Sequence, residues 1–258
     1  MIRMGEVGRE KGYKMTQHRS NRNSGPAAQG SLRSRPLAAG QAQGTGQAPQ
    51  TGIVPLNLER GRDGFLYVPR SYRPERLAPL IVILHGAGAT ANSILTPFTA
   101  LAEAMGIILL APDARQETWD LIMSEYGEDV AFTDRALEQT FRRYTIDATH
   151  VAIGGFSDGA SYALSLGLAN GDLFNHIIAF SPGFMAPPLL QGQPLIFVSH
   201  GTHDQVLPVR ASRRIVEKLR EVGYNVTYQE FNGPHTVPPE IAREGFDWFM
   251  QTPATTVH

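Results

Sequence analysis

Six short β-prone runs, "LIVILHG" (80–86), "GIILLAP" (106–112), "HVAIGG" (150–155), "HIIAFSP" (176–182), "PLIFVSHG" (194–201) and "NVTYQEF" (225–231), alternate with longer amphipathic segments. Runs that are apolar on both faces suit strands buried on both sides, and the segments between them have the helical period at about 92–104, 128–143, 158–169, 209–222 and 236–250. This alternation predicts an α/β fold with a mostly parallel central sheet and helices on both faces. Ahead of it, "GFLYVP" follows the turn signal "GRDG" and pairs with the run Ile53 to Leu58 as a hairpin. One domain over residues 52–252 accounts for the whole pattern.

Residues 1–51 have a different texture. From about Asn21 to Thr51 the chain is rich in Gly, Gln, Ala, Ser and Pro and nearly free of large apolar residues, so the expectation is a disordered N-terminal extension. The basic start lacks the continuous apolar stretch of a signal peptide, which makes a cytoplasmic location the expectation. Residues 1–50 hold eight Lys/Arg against two Asp/Glu, whereas the remainder holds 15 against 22. A domain with that acidic balance is a poor nucleic-acid binder, and no apolar run is long enough to span a bilayer. With no cysteine in the chain, a thiol nucleophile, thiolate metal ligands and disulfides are excluded. Oligomeric state is not written in the pattern.

Gly155-Phe156-Ser157-Asp158-Gly159 matches G-x-S-x-G at the end of one apolar run and the start of a helical segment. A sharp strand-to-helix turn would lift the Ser157 hydroxyl above the sheet, with small residues on either side to let the two elements approach. The bland alternative is a structural turn in which Ser157 caps the helix. A serine nucleophile needs a base, and the base needs an orienting carboxylate. In such sheets these follow in the order Ser, Asp or Glu, His, each just beyond a strand. Asp204 in "SHGTHDQVLPV" and His235 in "NGPHTVPPE" meet that order, with His200 and His203 as local rivals to His235. The same "HGTHD" allows a reading as metal ligands, but its spacing lacks the helical H-E-x-x-H arrangement, and no metal is assigned. Backbone donors for an oxyanion are expected at the Asp158 amide and, from "HGAG" after the run 80–86, at the Ala87 amide. His85 is expected to brace that loop rather than to act as a second base.

Taken together, "LHGAGA", "GGFSDGASYAL", "SHGTHDQVLPV" and "NGPHTVPPEI" resemble the α/β-hydrolase fold over about Pro55 to Met250. More narrowly they resemble the phospholipase/carboxylesterase branch of serine esterases, and they are also similar to feruloyl-esterase and polyhydroxybutyrate-depolymerase-like hydrolases. The resemblance implies hydrolysis of carboxylic esters without a cofactor, and the expectation is a small ester, short-chain or aryl, cleaved through an acyl-enzyme on Ser157. Acyl-protein and lysophospholipid members carry Gln where this chain has Asp158, which sets their substrates apart. Thioesters and polymeric esters remain open, as does a non-catalytic binding role on the same fold. Ser181 to Pro194 is too short for a cap domain, so the site is expected to be open. Trp119, in the long stretch Asp113 to Asp129, is expected either to cap the core or to wall an acyl or aryl pocket, with Phe184 and Met185 facing it.

Overall fold

The computed structural model describes residues 25–38 and 49–251. Within the described residues eight strands form one sheet: β1 (Gly52–Pro55), β2 (Gly64–Val68), β3 (Ala78–Leu84), β4 (Ile108–Pro112), β5 (Ile146–Phe156), β6 (His176–Phe180), β7 (Leu195–Gly201) and β8 (Val226–Phe231). Their spatial order is β1-β2-β4-β3-β5-β6-β7-β8. The β1–β2 hairpin joins β4 antiparallel, and every pairing from β4 to β8 is parallel. Among the described residues six α-helices accompany the sheet: α1 (Ala91–Met105), α2 (Asp120–Met123), α3 (Glu128–Arg143), α4 (Asp158–Ala169), α5 (Arg210–Glu221) and α6 (Pro239–Gln251). Each strand and helix expected from the apolar pattern is present; the single turn α2 falls inside the stretch read as a loop. Among the described residues no helix is long and apolar enough to cross a membrane.

The pleat of the strands divides the core. In β3, Leu80, Val82 and Leu84 point to the face covered by α3, α4 and α5, while Ile81 and Ile83 point to the face covered by α1 and α6. This two-sided burial is why β3 carries no polar residue. On the α1/α6 face, Phe98 lies between Phe180 and Phe246, with ring centroids 6.0 Å and 5.4 Å away. Helix α1 begins with a reciprocal cap between Thr90 and Ser93 and stops at Gly106, whose φ of 72° favours a residue without a Cβ.

The expectation of disorder fails for residues 25–38. Leu32 is 2% exposed and belongs to the core of the α3/α4/α5 face. Its amide donates to Asn170 Oδ1 at 2.8 Å, and Asn170 Nδ2 donates to Gly30 O at 2.7 Å. The amides of Arg33 and Ser34 both donate to Asp134 Oδ1, at 2.9 Å and 2.8 Å. A stretch of small and polar residues is thus held by one apolar anchor and by side chains of α3 and of the residue after α4. The domain therefore extends beyond the 52–252 boundary. The rest of the expected extension, residues 1–24 and 39–48, lies outside the described residues.

Candidate active site

Strand β5 ends at Phe156 and α4 begins at Asp158, so Ser157 alone makes the turn. Its backbone sits at φ 59°, ψ −120°, a region that L residues avoid and that persists only when the surroundings enforce it. The two flanking glycines show how. A Cβ on Gly155 would lie 2.5 Å from the Gly159 carbonyl group, and a Cβ on Gly159 would lie 2.2 Å from Leu84 O. Strand, elbow and helix meet backbone against backbone, so neither glycine can carry a side chain. The turn is tied down by the Ser157 amide, which donates to Phe180 O at 3.0 Å.

His235, in the loop between β8 and α6, brings Nε2 to 2.9 Å from Ser157 Oγ, and its Nδ1 lies 2.5 Å from Asp204 Oδ2. The Phe156 ring packs on the imidazole with centroids 4.6 Å apart. Asp204 follows β7 and its side chain is wholly buried. Burial alone would raise its pKa, but the bond from His235 and the amides of Leu207 and Val206, each 2.8 Å from Oδ1, outweigh it and hold the carboxyl below its usual range. The carboxylate is therefore ionised and can only accept, so Nδ1 of His235 carries the proton and Nε2 is free to accept the Ser157 hydroxyl. Of the rival histidines, His203 is exposed and His200 is buried beneath the Asp204 loop.

The loop after β3 is packed against the elbow: a Cβ on Gly86 would lie 3.3 Å from Ser157 Cβ. Gly88 donates to Glu117 O at 2.8 Å and Ala89 to Gly86 O at 3.2 Å, while the Ala87 amide between them meets no backbone acceptor among the described residues. Asp158 opens α4, where amides have no partner inside the helix. His85 is buried and spans two loops. The Ala114 amide donates to its Nε2 at 3.0 Å, so the proton resides on Nδ1, which donates to Gly86 O at 2.8 Å. Burial pulls its pKa down, against the Gly86 bond and the nearby Asp113, and favours the neutral ring.

Trp119 does not line a pocket. It is 0% exposed, stacks on Tyr162 with centroids 5.0 Å apart, and donates Nε1–H to His85 O at 2.8 Å. The pocket-wall role is corrected to that of a buried brace. Met185 is half-buried and packs on the core of the α3/α4/α5 face, the cluster to which Trp119 also belongs. Phe184 is also half-buried; its amide and that of Gly183 lie 3.4 Å and 2.9 Å from Ser161 Oγ, one helical turn from the nucleophile position. Thr118, which no sequence motif marks, donates its hydroxyl to Asp158 Oδ2 at 2.7 Å. Its only sequence signal is its place beside Trp119 in an over-long loop.

A serine on a strained elbow, joined through histidine to a carboxylate over a sheet of this order, defines the molecule as an α/β-hydrolase. The model of the phospholipase/carboxylesterase family matches residues 107–244, more than half of the chain, and the chain belongs to that family. It is 29% identical over 182 residues to feruloyl esterase C of Emericella nidulans, covering 67% of this chain and 66% of that one. Similarity to a bifunctional acetylxylan esterase/xylanase of Neocallimastix patriciarum is 27% over 169 residues, covering 62% of this chain and 24% of the relative. The chain thus spans from about a quarter to about two thirds of the length of these relatives. Among solved structures, a ferulic acid esterase of Anaeromyces mucronatus in complex with ferulic acid superposes with a TM-score of 0.60 at 18% identity, covering 86% of this chain and 97% of that one. Esterase PE8 superposes with a TM-score of 0.59 at 21% identity, covering 72% and 98%. These likenesses carry the fold.

Proposed function

We propose that this chain is a serine esterase that hydrolyses carboxylic esters with a short or aryl acyl group, feruloyl-type esters foremost. The observation that carries the reading is the continuous relay Ser157–His235–Asp204, 2.9 Å and 2.5 Å at its two links, with the serine held at a positive φ. The feruloyl and acetylxylan esterases among its relatives support the acyl class, since both names denote esters of small acids. The connection from β6 to β7 contains no helix, which supports an open site without a cap.

In this reading the Ser157 oxygen attacks the ester carbonyl while its proton passes to His235 Nε2. The amides of Ala87 and Asp158 receive the negative charge that develops on the carbonyl oxygen, and Asp204 stabilises the imidazolium. The alcohol leaves with the proton from His235, and water then cleaves the acyl-enzyme by the same sequence of transfers.

The test is a p-nitrophenyl ester series from acetate to palmitate together with methyl ferulate, run on the parent and on Ser157→Ala. Turnover of acetate and ferulate that vanishes in the variant is the expected result. Equal rates in both proteins, or a preference for palmitate, would overturn the reading.

A further inference from the structure

His200 ends the apolar run of β7 and has no place in the relay described above, yet it is fully buried beside it. Its Nε2 lies 2.8 Å from Leu207 O and 3.1 Å from Asp204 Oδ2. Both are acceptors, a carbonyl and an ionised carboxylate, so Nε2 carries a hydrogen. Nδ1 is paired with the Ser212 hydroxyl, 2.6 Å away in the first turn of α5. The same hydroxyl donates to Pro182 O at 3.4 Å. Every polar atom of the ring has a partner.

Two imidazoles therefore meet at one oxygen. Oδ2 of Asp204 has His235 Nδ1 on one side and His200 Nε2 on the other, while Oδ1 is held by the amides of Val206 and Leu207. Leu207 is bound at both ends of its residue: its amide donates to Asp204 and its carbonyl accepts from His200. A structural polar group could have been replaced by an apolar one at this fully buried position. A buried imidazole costs desolvation that is offset only by complete pairing.

We infer that His200 is a positioning residue for the proposed reaction, acting through Asp204: it fixes the carboxylate plane so that Oδ2 stays in line with His235 Nδ1. Without the Nε2–H, Leu207 O is left buried and unpaired, and the Leu207 segment whose amide pins Oδ1 is released, so the carboxylate is free to tilt. His235 then loses control of its tautomer, which is the function of the acid in such a relay. The inference rests on the esterase reading, and turnover by the parent protein, measured first, tests that reading separately.

The experiment compares the parent with His200→Met, which removes both nitrogens, His200→Gln, which restores an amide donor near the Nε2 position, and Ser212→Ala, which frees the far side of the ring. On p-nitrophenyl acetate, His200→Met is expected to lower kcat about 10- to 100-fold with KM within about twofold, less than the roughly 10,000-fold that loss of the acid itself costs such relays. His200→Gln should regain most of kcat, and Ser212→Ala should fall between. A thermal melt of each variant separates positioning from packing: kcat is expected to follow the donor rather than Tm. If His200→Met turns over within about twofold of the parent, or if Gln fails to regain kcat while melting with the parent, the inference is wrong. Should His200→Met not fold, the Gln and Ser212→Ala variants decide by the same criteria.

Discussion

Trp119 donates its indole hydrogen to the carbonyl of His85 at 2.8 Å, so a residue of the long loop after β4 is fastened to the loop that follows β3. The same two loops are joined by Ala114 to His85 Nε2 and by Gly88 to Glu117 O. Thr118 extends the clasp to Asp158, just past the nucleophile. The loop thereby braces the amides proposed to hold the oxyanion, although it presents no aromatic wall to a substrate.

Trp119→Phe keeps the ring in the Tyr162 stack but leaves His85 O without its donor. The expected loss is about 1–3 kcal/mol of stability, read by urea unfolding, with a drop in kcat and little change in KM. A large rise in KM at unchanged stability would return Trp119 to the substrate pocket.

Gly159→Ala places a methyl 2.2 Å from Leu84 O, where no rotamer can relieve the contact. The elbow has to open, at a cost of roughly 3 kcal/mol or more. Soluble protein with a parent-like melting curve would show that strand and helix are not in backbone contact.

Asp129 supports the same brace from beneath, accepting from the amides of Arg115 and Asp120 at 2.6 Å each. Burial pushes its pKa up to about 6, opposed by the Arg115 amide and reinforced by the charge of Asp120. Because the folded state holds this proton more tightly than the unfolded chain, Asp129 contributes most to stability below about pH 4. That contribution, about 3 kcal/mol, is lost as pH rises through about 6. Denaturant titrations of the parent and Asp129→Asn from pH 4 to 7 should show the parent losing stability relative to the variant. A flat difference, or one of opposite slope, contradicts the assignment.

Leu32 tests the packed segment ahead of the domain. Leu32→Ala is expected to cost about 2–4 kcal/mol, as for a buried leucine in any core, and Asn170→Ala to destabilise as well by freeing Gly30 O and the Leu32 amide. A change below about 0.5 kcal/mol in both variants would mean that residues 25–38 do not dock.

These cases mark what the sequence makes legible. Strands and helices appear in the pattern because periodicity is local, and Ser157, Asp204 and His235 because each ends a run in the order the sheet demands. Trp119 does not declare its side, since an aromatic in a long loop satisfies either a pocket or a core, and only the His85 carbonyl and the Tyr162 ring decide. Leu32 is hidden for a related reason: Asn170, which holds its amide, and Asp134, which holds the two amides that follow, lie a hundred residues or more away in chain order and look merely polar. The pairing of His200 with Asp204 is likewise invisible, because two histidines in "HGTHD" look equivalent until the strand turns one inward.

In the proposed relay His235 activates Ser157. The most direct measurement is the rate at which a fluorophosphonate probe forms an adduct, located by peptide mass spectrometry, in the parent and in His235→Ala. A single adduct on Ser157 is expected in the parent, with labelling slowed by about a thousandfold or more in the variant, on the order expected for loss of a triad member. An unlabelled Ser157 in folded parent protein, or equal rates in the two, would contradict it.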